Sequence, residues 1–221
     1  MDNAAAFIDG FNLYHGMNSC GLRSYLWVDL WTLARSAIPA SAHLNEVNYF
    51  TAPSKDPESN ARQGDFLGAQ RELHPDINIV DGFFRADTKH CKGCPPGHEK
   101  WVEKRSDVNM AVEAVKGALE GDAPRFDLAL FVTADADQVT TIETLREANV
   151  RVIVAFPPGR YSDHLRDVAN QSFKLGRKHI VGAQMQPTVT LTNKNNYTVH
   201  RPDAWGAIPD QWPDVEALAR D

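Results

Sequence analysis

Two aspartates one residue apart, Asp135 and Asp137, follow directly on an apolar run in "FVTADADQV" (131–139). Like charges this close repel, and solvent, a helix N-terminus or a cation can each offset the repulsion. Two further carboxylates stand at comparable junctions. Asp9 closes the apolar "AAAFIDG" (4–10), and Asp107 opens "SDVNMAVEAVKGALEG" (106–121). Open parallel sheets bind ligands at the carboxyl ends of their strands, so four carboxylates from three places can converge on one rim. Left bare, such a cluster raises some of its own pKa values and costs stability. A hard divalent cation with oxygen ligands, Mg²⁺ or Mn²⁺, removes the difficulty. Each Asp alone has a plainer reading: Asp137 as a helix cap, Asp107 as a complement to the helix macrodipole, Asp9 as a turn residue before Gly10. Taken together they point to an acidic cation site, and composition and spacing go no further.

The elements that must position these residues alternate between strand and helix signals. Strands are expected at 4–10, 45–53, 77–84, 126–134 and 150–156, each an apolar run bounded by turn residues. Helices are expected at 27–38, 58–74, 106–121, 137–149 and 162–176. In the helix at 106–121, Val108, Ala111, Val112, Val115, Ala118 and Leu119 form one apolar stripe that should face the core, between a Ser106 N-cap and a Gly121 stop. "HIVG" (179–182) reads as an edge strand, and 187–206 as a β-hairpin around an Asn-rich turn. The alternation predicts an α/β fold with a mostly parallel central sheet covered on both faces. The charged, turn-rich 85–105 reads as an excursion from it, a hairpin between core elements.

The 221 residues, 43% hydrophobic and 24% charged, supply a core for one ample domain. A net charge of −6 argues against a broad basic surface that grips nucleic acid through many phosphates. It leaves open an enzyme of nucleic acid whose site is acidic because it holds metal. No apolar run reaches the roughly 18–20 residues that span a bilayer, and "MDNAAAFIDG" has no secretory pattern. The expected location is the cytoplasm, with no membrane partner.

Three cysteines, Cys20, Cys91 and Cys94, make a poor disulfide framework. Cys91-x-x-Cys94 with His98 suits a structural Zn²⁺ site, but a second half of the tetrahedron is not evident, and a reduced pair in a turn is the other reading. Tyr14 and His15 either touch nucleic acid or pack at a helix edge.

Three blocks, "FIDGFNLYHG" (7–16), "EKRSDVNMAVEAV" (103–115) and "FVTADADQVTTIETLREANVRVIV" (131–154), resemble in order the signatures of the NYN domain family, a PIN-like group of metal-dependent ribonucleases. "DHLRDVANQSFKL" (163–175) resembles the family's penultimate helix, and "QPTVTLTNKNNYTVHRPDAW" (186–205) a hairpin of some bacterial members. The resemblance implies a three-layer PIN-like domain over 1–183, with its insertion at 85–105, and a hairpin and tail at 184–221 packed on it. It implies hydrolysis of RNA phosphodiester bonds, with Asp9, Asp107, Asp135 and Asp137 holding Mg²⁺ or Mn²⁺ and Asn12 positioning a ligand, water or phosphate. Thr133 would hydrogen-bond a neighbouring carboxylate or substrate, and Lys104 and Arg105 either touch the RNA backbone or belong to a solvated loop. Gln138 stands where the family often has an aromatic, and Ala134 where glycine is common; neither change removes a ligand. The competing functions are an RNA- or protein-binding module without turnover, and a phosphatase using Asp135 as nucleophile. Phosphatases of that kind carry Asp-x-Asp after the first strand, where this chain has Asp9-Gly-Phe-Asn. The RNA substrate and oligomeric state stay open, a homo-oligomer included.

Overall fold

In β1 (Asn3–Asp9) six of the seven residues are buried. Side chains alternate across the strand, so Ala4, Ala6 and Ile8 enter one core while Ala5 and Phe7 enter another. β1 is therefore an interior strand with helices on both faces. α1 (Gly10–Ser19) follows without a loop, because the Asp9 carboxylate caps it. α2 (Leu30–Ser36), β2 (His43–Thr51), α3 (Pro57–Leu73) and β3 (Asn78–Asp81) complete the first half, with Asp29 and Asp56 capping the two helices. The computed structural model describes residues 2–87, 100–104, 106–121, 123–209 and 211–215.

β4 (Phe83–Asp87) and β5 (Lys100–Lys104) pair antiparallel outside the main sheet, which is the excursion expected at 85–105. The Cys91, Cys94 and His98 cluster lies outside the described residues, as does Arg105. Then come α4 (Ser106–Leu119), β6 (Leu128–Val132), α5 (Val139–Glu147), β7 (Arg151–Phe156), α6 (Asp163–Val168), β8 (Gln171–Lys174) and α7 (Arg177–Gly182). A last hairpin, β9 (Thr188–Leu191) with β10 (Tyr197–His200), turns through Asn195 and Asn196, both at positive φ.

The six-stranded sheet has the order β3-β2-β1-β6-β7-β8, with every neighbouring pair parallel. α1, α2, α3 and α7 pack on one face, and α4, α5 and α6 on the other. This is a three-layer α/β/α architecture. Among the described residues no helix is long and apolar enough to cross a membrane.

Four expectations are corrected. No helix was expected at 10–19, where α1 stands. The helix expected at 162–176 stops at Val168, and Gln171–Lys174 joins the sheet as β8. The reason is the open edge of β7. The Val152 amide donates to the Asn170 side chain, and the Asn170 amide to the Val152 carbonyl, so the sheet claims backbone groups that a helix would have left unpaired. "HIVG" is helical: the Gly176 amide donates to His179 Nδ1 at the start of α7, and so short an apolar run carries no period of its own.

The fourth correction concerns α4. Its inward face is Ser106, Met110, Ala114, Gly117 and Ala118, while Val108, Val112 and Leu119 are exposed. Small residues won over bulkier apolar ones because they let the helix close on Phe126. A Cβ added at Gly117 would lie 2.4 Å from the Phe126 ring.

Candidate functional site

Ile8 pairs with Val132 in the parallel register of β1 and β6, so the two chains leave the sheet side by side, Asp9 from one and Thr133 from the other. Their side chains meet at once. Thr133 Oγ1 donates to Asp9 Oδ2 at 3.0 Å, and the Asp135 amide donates to Thr133 Oγ1 at 3.1 Å. The Asp137 amide in turn donates to Asp135 Oδ1 at 3.0 Å. On the other side, the Asn12 backbone amide and Nδ2 each donate to Asp9, to Oδ1 and Oδ2, both at 2.9 Å. One hydrogen-bonded line thus runs Asn12, Asp9, Thr133, Asp135, Asp137.

Asp9 is 3% exposed. Burial pushes its carboxyl above the usual carboxylate range; the bonds from Asn12 and Thr133 pull it down, and the nearby Asp135 charge pushes it up again. Thr133 is fully buried and links the Asp9 carboxylate to the Asp135 backbone amide. Asp135 is half-buried and Asp137 exposed. The capping role that the sequence allowed for Asp137 belongs to Asp135, which caps the 3-10 turn Ala136–Gln138 ahead of α5.

Asp107 is half-buried in the first turn of α4, and Gln138 Nε2 donates to its carbonyl at 3.1 Å. Gln138 thereby ties the start of α4 to the turn after β6, and its Oε1 is a buried acceptor without a partner among the described residues. Lys104 ends β5. Among the described residues no group of three His, Cys, Asp or Glu side chains stands close enough to hold a metal ion together. The intimate pair is Asp9 with Asp135, and the four-carboxylate convergence drawn from the sequence is not assembled as one such cluster.

The pair still fits a hard cation. A carboxylate offers about four lone-pair positions, and Asp9 uses three, for the Asn12 amide, Asn12 Nδ2 and Thr133 Oγ1. Asp135 Oδ2 takes no hydrogen bond among the described residues. Mg²⁺ is commonly held by one or two carboxylates plus water and substrate phosphates, so a two-carboxylate, all-oxygen site matches its chemistry.

Two residues that the sequence reading passed over belong to the same rim. Arg160, in the loop after β7, lies close enough to His15 to depress its basicity, second to burial, while Asp9 acts the other way. Arg160 has no ion-pair partner among the described residues. The rule that placed Asp9 points to the loop after the buried run "VIVAF", though not to Arg160 itself. Tyr49, from β2, lays its ring against Gly10, and nothing in its strand context signals that.

Comparison with known proteins decides the lineage. The model of the NYN domain matches residues 3–176. The chain belongs to the NYN domain family. The NYN domain is a PIN-like nuclease fold, and the match spans every aspartate of the rim while ending before α7 and the β9–β10 hairpin. Among solved structures, a Vibrio parahaemolyticus protein of unknown function superposes with a TM-score of 0.52 at 18% identity, over 79% of this chain and 93% of that one. At that identity it supports the fold of this NYN domain alone. Among curated proteins, none matches the sequence.

In this NYN domain Thr133→Val keeps the side-chain shape and removes the hydroxyl. The Asp135 amide and the Asp9 carboxylate each lose a partner, an expected cost of about 1–3 kcal/mol. Urea denaturation of the two proteins checks it, and an unchanged midpoint would deny Thr133 its linking role.

Proposed function

We propose that the protein is a divalent-metal-dependent ribonuclease that hydrolyses RNA phosphodiester bonds. The observation that carries this reading is the buried Asp9 carboxylate, joined through Thr133 to Asp135 at the carboxyl ends of two adjacent strands. Asp9 and Asp135 are the principal ligands of Mg²⁺ or Mn²⁺, with Asp107 and Asp137 beside them. When bound, such an ion acidifies a water and offsets phosphate charge.

The chain's own residues do the rest. Asn12 and Thr133 fix the Asp9 carboxylate in one orientation, and Thr133 sets the distance between the two ligands. Asp135 holds the turn that carries Asp137 to the solvent side, where a carboxylate can accept a proton from water. Gln138 anchors the α4 end that carries Asp107. Arg160 offers its guanidinium to a phosphate oxygen of the strand, and Lys104 and Arg105, just ahead of Asp107, extend the backbone contacts.

The test incubates the protein with structured RNA, single-stranded RNA, single-stranded DNA and p-nitrophenyl phosphate, in Mn²⁺, Mg²⁺ or EDTA, beside Asp135→Asn. Loss of RNA that requires the cation and Asp135 is the expected result. Cleavage that persists in EDTA, or equally in Asp135→Asn, sinks the mechanism. Retention of RNA without cleavage would make the protein a binding module instead.

A further inference from the structure

On the far side of Gly10 from the β1–β6 junction, α1 and α3 part over the end of β2 and leave a cavity of about 260 Å³. Its floor is apolar, built from Leu13, Leu30, Tyr49, Phe66 and Trp205. Among the described residues six aromatic rings line it, three of them, Phe11, Tyr14 and His15, on the lip that α1 provides. Tyr14 is 41% exposed there, its ring 5.2 Å from that of His15. The opposite lip carries Ser54, Ser59 and Arg62.

Among the described residues no carboxylate lines this cavity, although it adjoins an acidic rim and the Arg62 guanidinium pairs outside it with Glu58 and Asp56. Its polar wall is fixed in advance. Gln63 Nε2 donates to Thr51 Oγ1 at 2.9 Å and to the Ala52 carbonyl at 3.0 Å, while Gln63 Oε1 accepts the Ser54 amide at 2.9 Å. An aromatic-lined slot with a few preset hydroxyls and one guanidinium at its mouth suits a flat, neutral ring with a polar edge. The covalent neighbour of Gly10 is Asp9, so a strand whose phosphate lies at the carboxylates has a base within reach of the slot.

We infer that the cavity between α1 and α3 takes an unpaired nucleobase of the RNA strand, beside the phosphate held at Asp9 and Asp135. The position of the phosphate rests on the proposed function; the preference of the slot for a base does not. Single-stranded RNA is the form this requires, since a base inside a duplex cannot enter without unstacking.

The test uses the full chain in EDTA, where no turnover occurs, and ligand-observed saturation-transfer NMR with adenosine, uridine and ribose as probes. Saturation should reach the base ring protons of at least one nucleoside, with ribose alone at least tenfold weaker. Ser59 is half exposed in the first turn of α3, so Ser59→Phe can plug the mouth without entering the core. It should abolish the transfer while melting as the wild type does. Tyr14→Ala, on the exposed lip, should weaken it several-fold and serves if Ser59→Phe misfolds. Ribose transfer equal to that of both nucleosides, or full transfer in a folded Ser59→Phe, would overturn the inference. Nucleoside binding by a chain that cleaves no RNA would support the slot and sink the nuclease. RNA cleavage without preference for nucleosides would do the reverse.

Discussion

Asp9→Asn should lower cation-dependent RNA cleavage by on the order of 10³-fold or more and, in EDTA, gain stability on the wild type as pH rises from acid to neutral. The loss follows from removing a ligand whose cation supplies several kcal/mol of charge stabilisation, each 1.36 kcal/mol being about tenfold in rate. The gain follows from the sign of the Asp9 shift. Burial holds the folded-state pKa above the unfolded value, so the stability tied to this group is fully present below the unfolded pKa. It is lost as pH rises through the folded pKa. Asparagine keeps the cap on the Asn12 amide and has no charge to bury, but its amide nitrogen stands where Oδ2 accepted from Asn12 Nδ2 and Thr133 Oγ1, a cost of about 1–3 kcal/mol that is the same at every pH. The melting difference between the two proteins should therefore move in the variant's favour as pH climbs through the Asp9 titration, then level off. Adding Mn²⁺ should favour the wild type, since a cation at about a hundred times its Kd stabilises by about 2.7 kcal/mol and the variant has lost half the pair. Calorimetry across pH, with and without Mn²⁺, reads both effects; a melting difference that stays the same at every pH in EDTA would refute the electrostatic account.

A single methyl group at Gly10 should do nearly as much harm by another route. Its Cβ would lie 2.7 Å from the Phe50 carbonyl oxygen and 2.7 Å from both Cζ and the hydroxyl of Tyr49. The first obstruction is sheet backbone, which cannot turn aside. α1 must then back away from β2 and take the Asp9 junction with it. Overpacking of this kind costs about 1–3 kcal/mol, and displacing a reacting group by about 1 Å can cost 10²-fold in rate. Gly10→Ala is thus expected to lose about 2 kcal/mol in urea denaturation and about 10²-fold in cleavage at temperatures where it remains folded. Gly64→Ala, in α3, is the matched control. Nothing stands within 4 Å of its added Cβ, so it should gain about 0.5–1 kcal/mol from helix propensity. Equal behaviour of the two variants would remove the steric claim.

Asp9 and Asp135 were legible because strand ends can be read from apolar runs, and a carboxylate just past such a run is conspicuous. The fold class came through for the same reason: β1, β6 and β7 are buried on both faces, and their composition says so. Orientation did not come through. In α4 the bulkiest members of the expected stripe, Val108, Val112 and Leu119, face outward, while Ala118 is buried and Val115 packs against the core, because the close approach to Phe126 selects Gly117, and the period of a pattern carries no information about that distance. The β8 and α7 errors share a cause in tertiary demand: β7 needed a partner on its open edge, and a four-residue run cannot announce which structure it will join. The dense bonding at Asp9 was not foreseeable either. A sequence names Thr133 but not the register that sets it opposite Asp9. Arg160 stands four residues past the end of β7, beyond Pro157-Pro158-Gly159, and the path of that loop back toward α1 is not written in its composition.

The place of β1 at the centre of the sheet sets the order in which this protein can be built. β1 finds β2 early in synthesis, but its other neighbour, β6, begins at Leu128, and the Thr133 bond to Asp9 spans 124 positions. Until then the nascent half-sheet carries an open edge along Ala4–Ile8, all of it interior in the finished molecule. Unpaired edges of that kind are sticky, and contacts so far apart in sequence form slowly because the loop must close first. The two carboxylates therefore meet only once the second half of the chain has been made, and a ribosome-bound N-terminal half lacks the pair altogether. Chain growth itself keeps the proposed site unassembled until the sheet is closed.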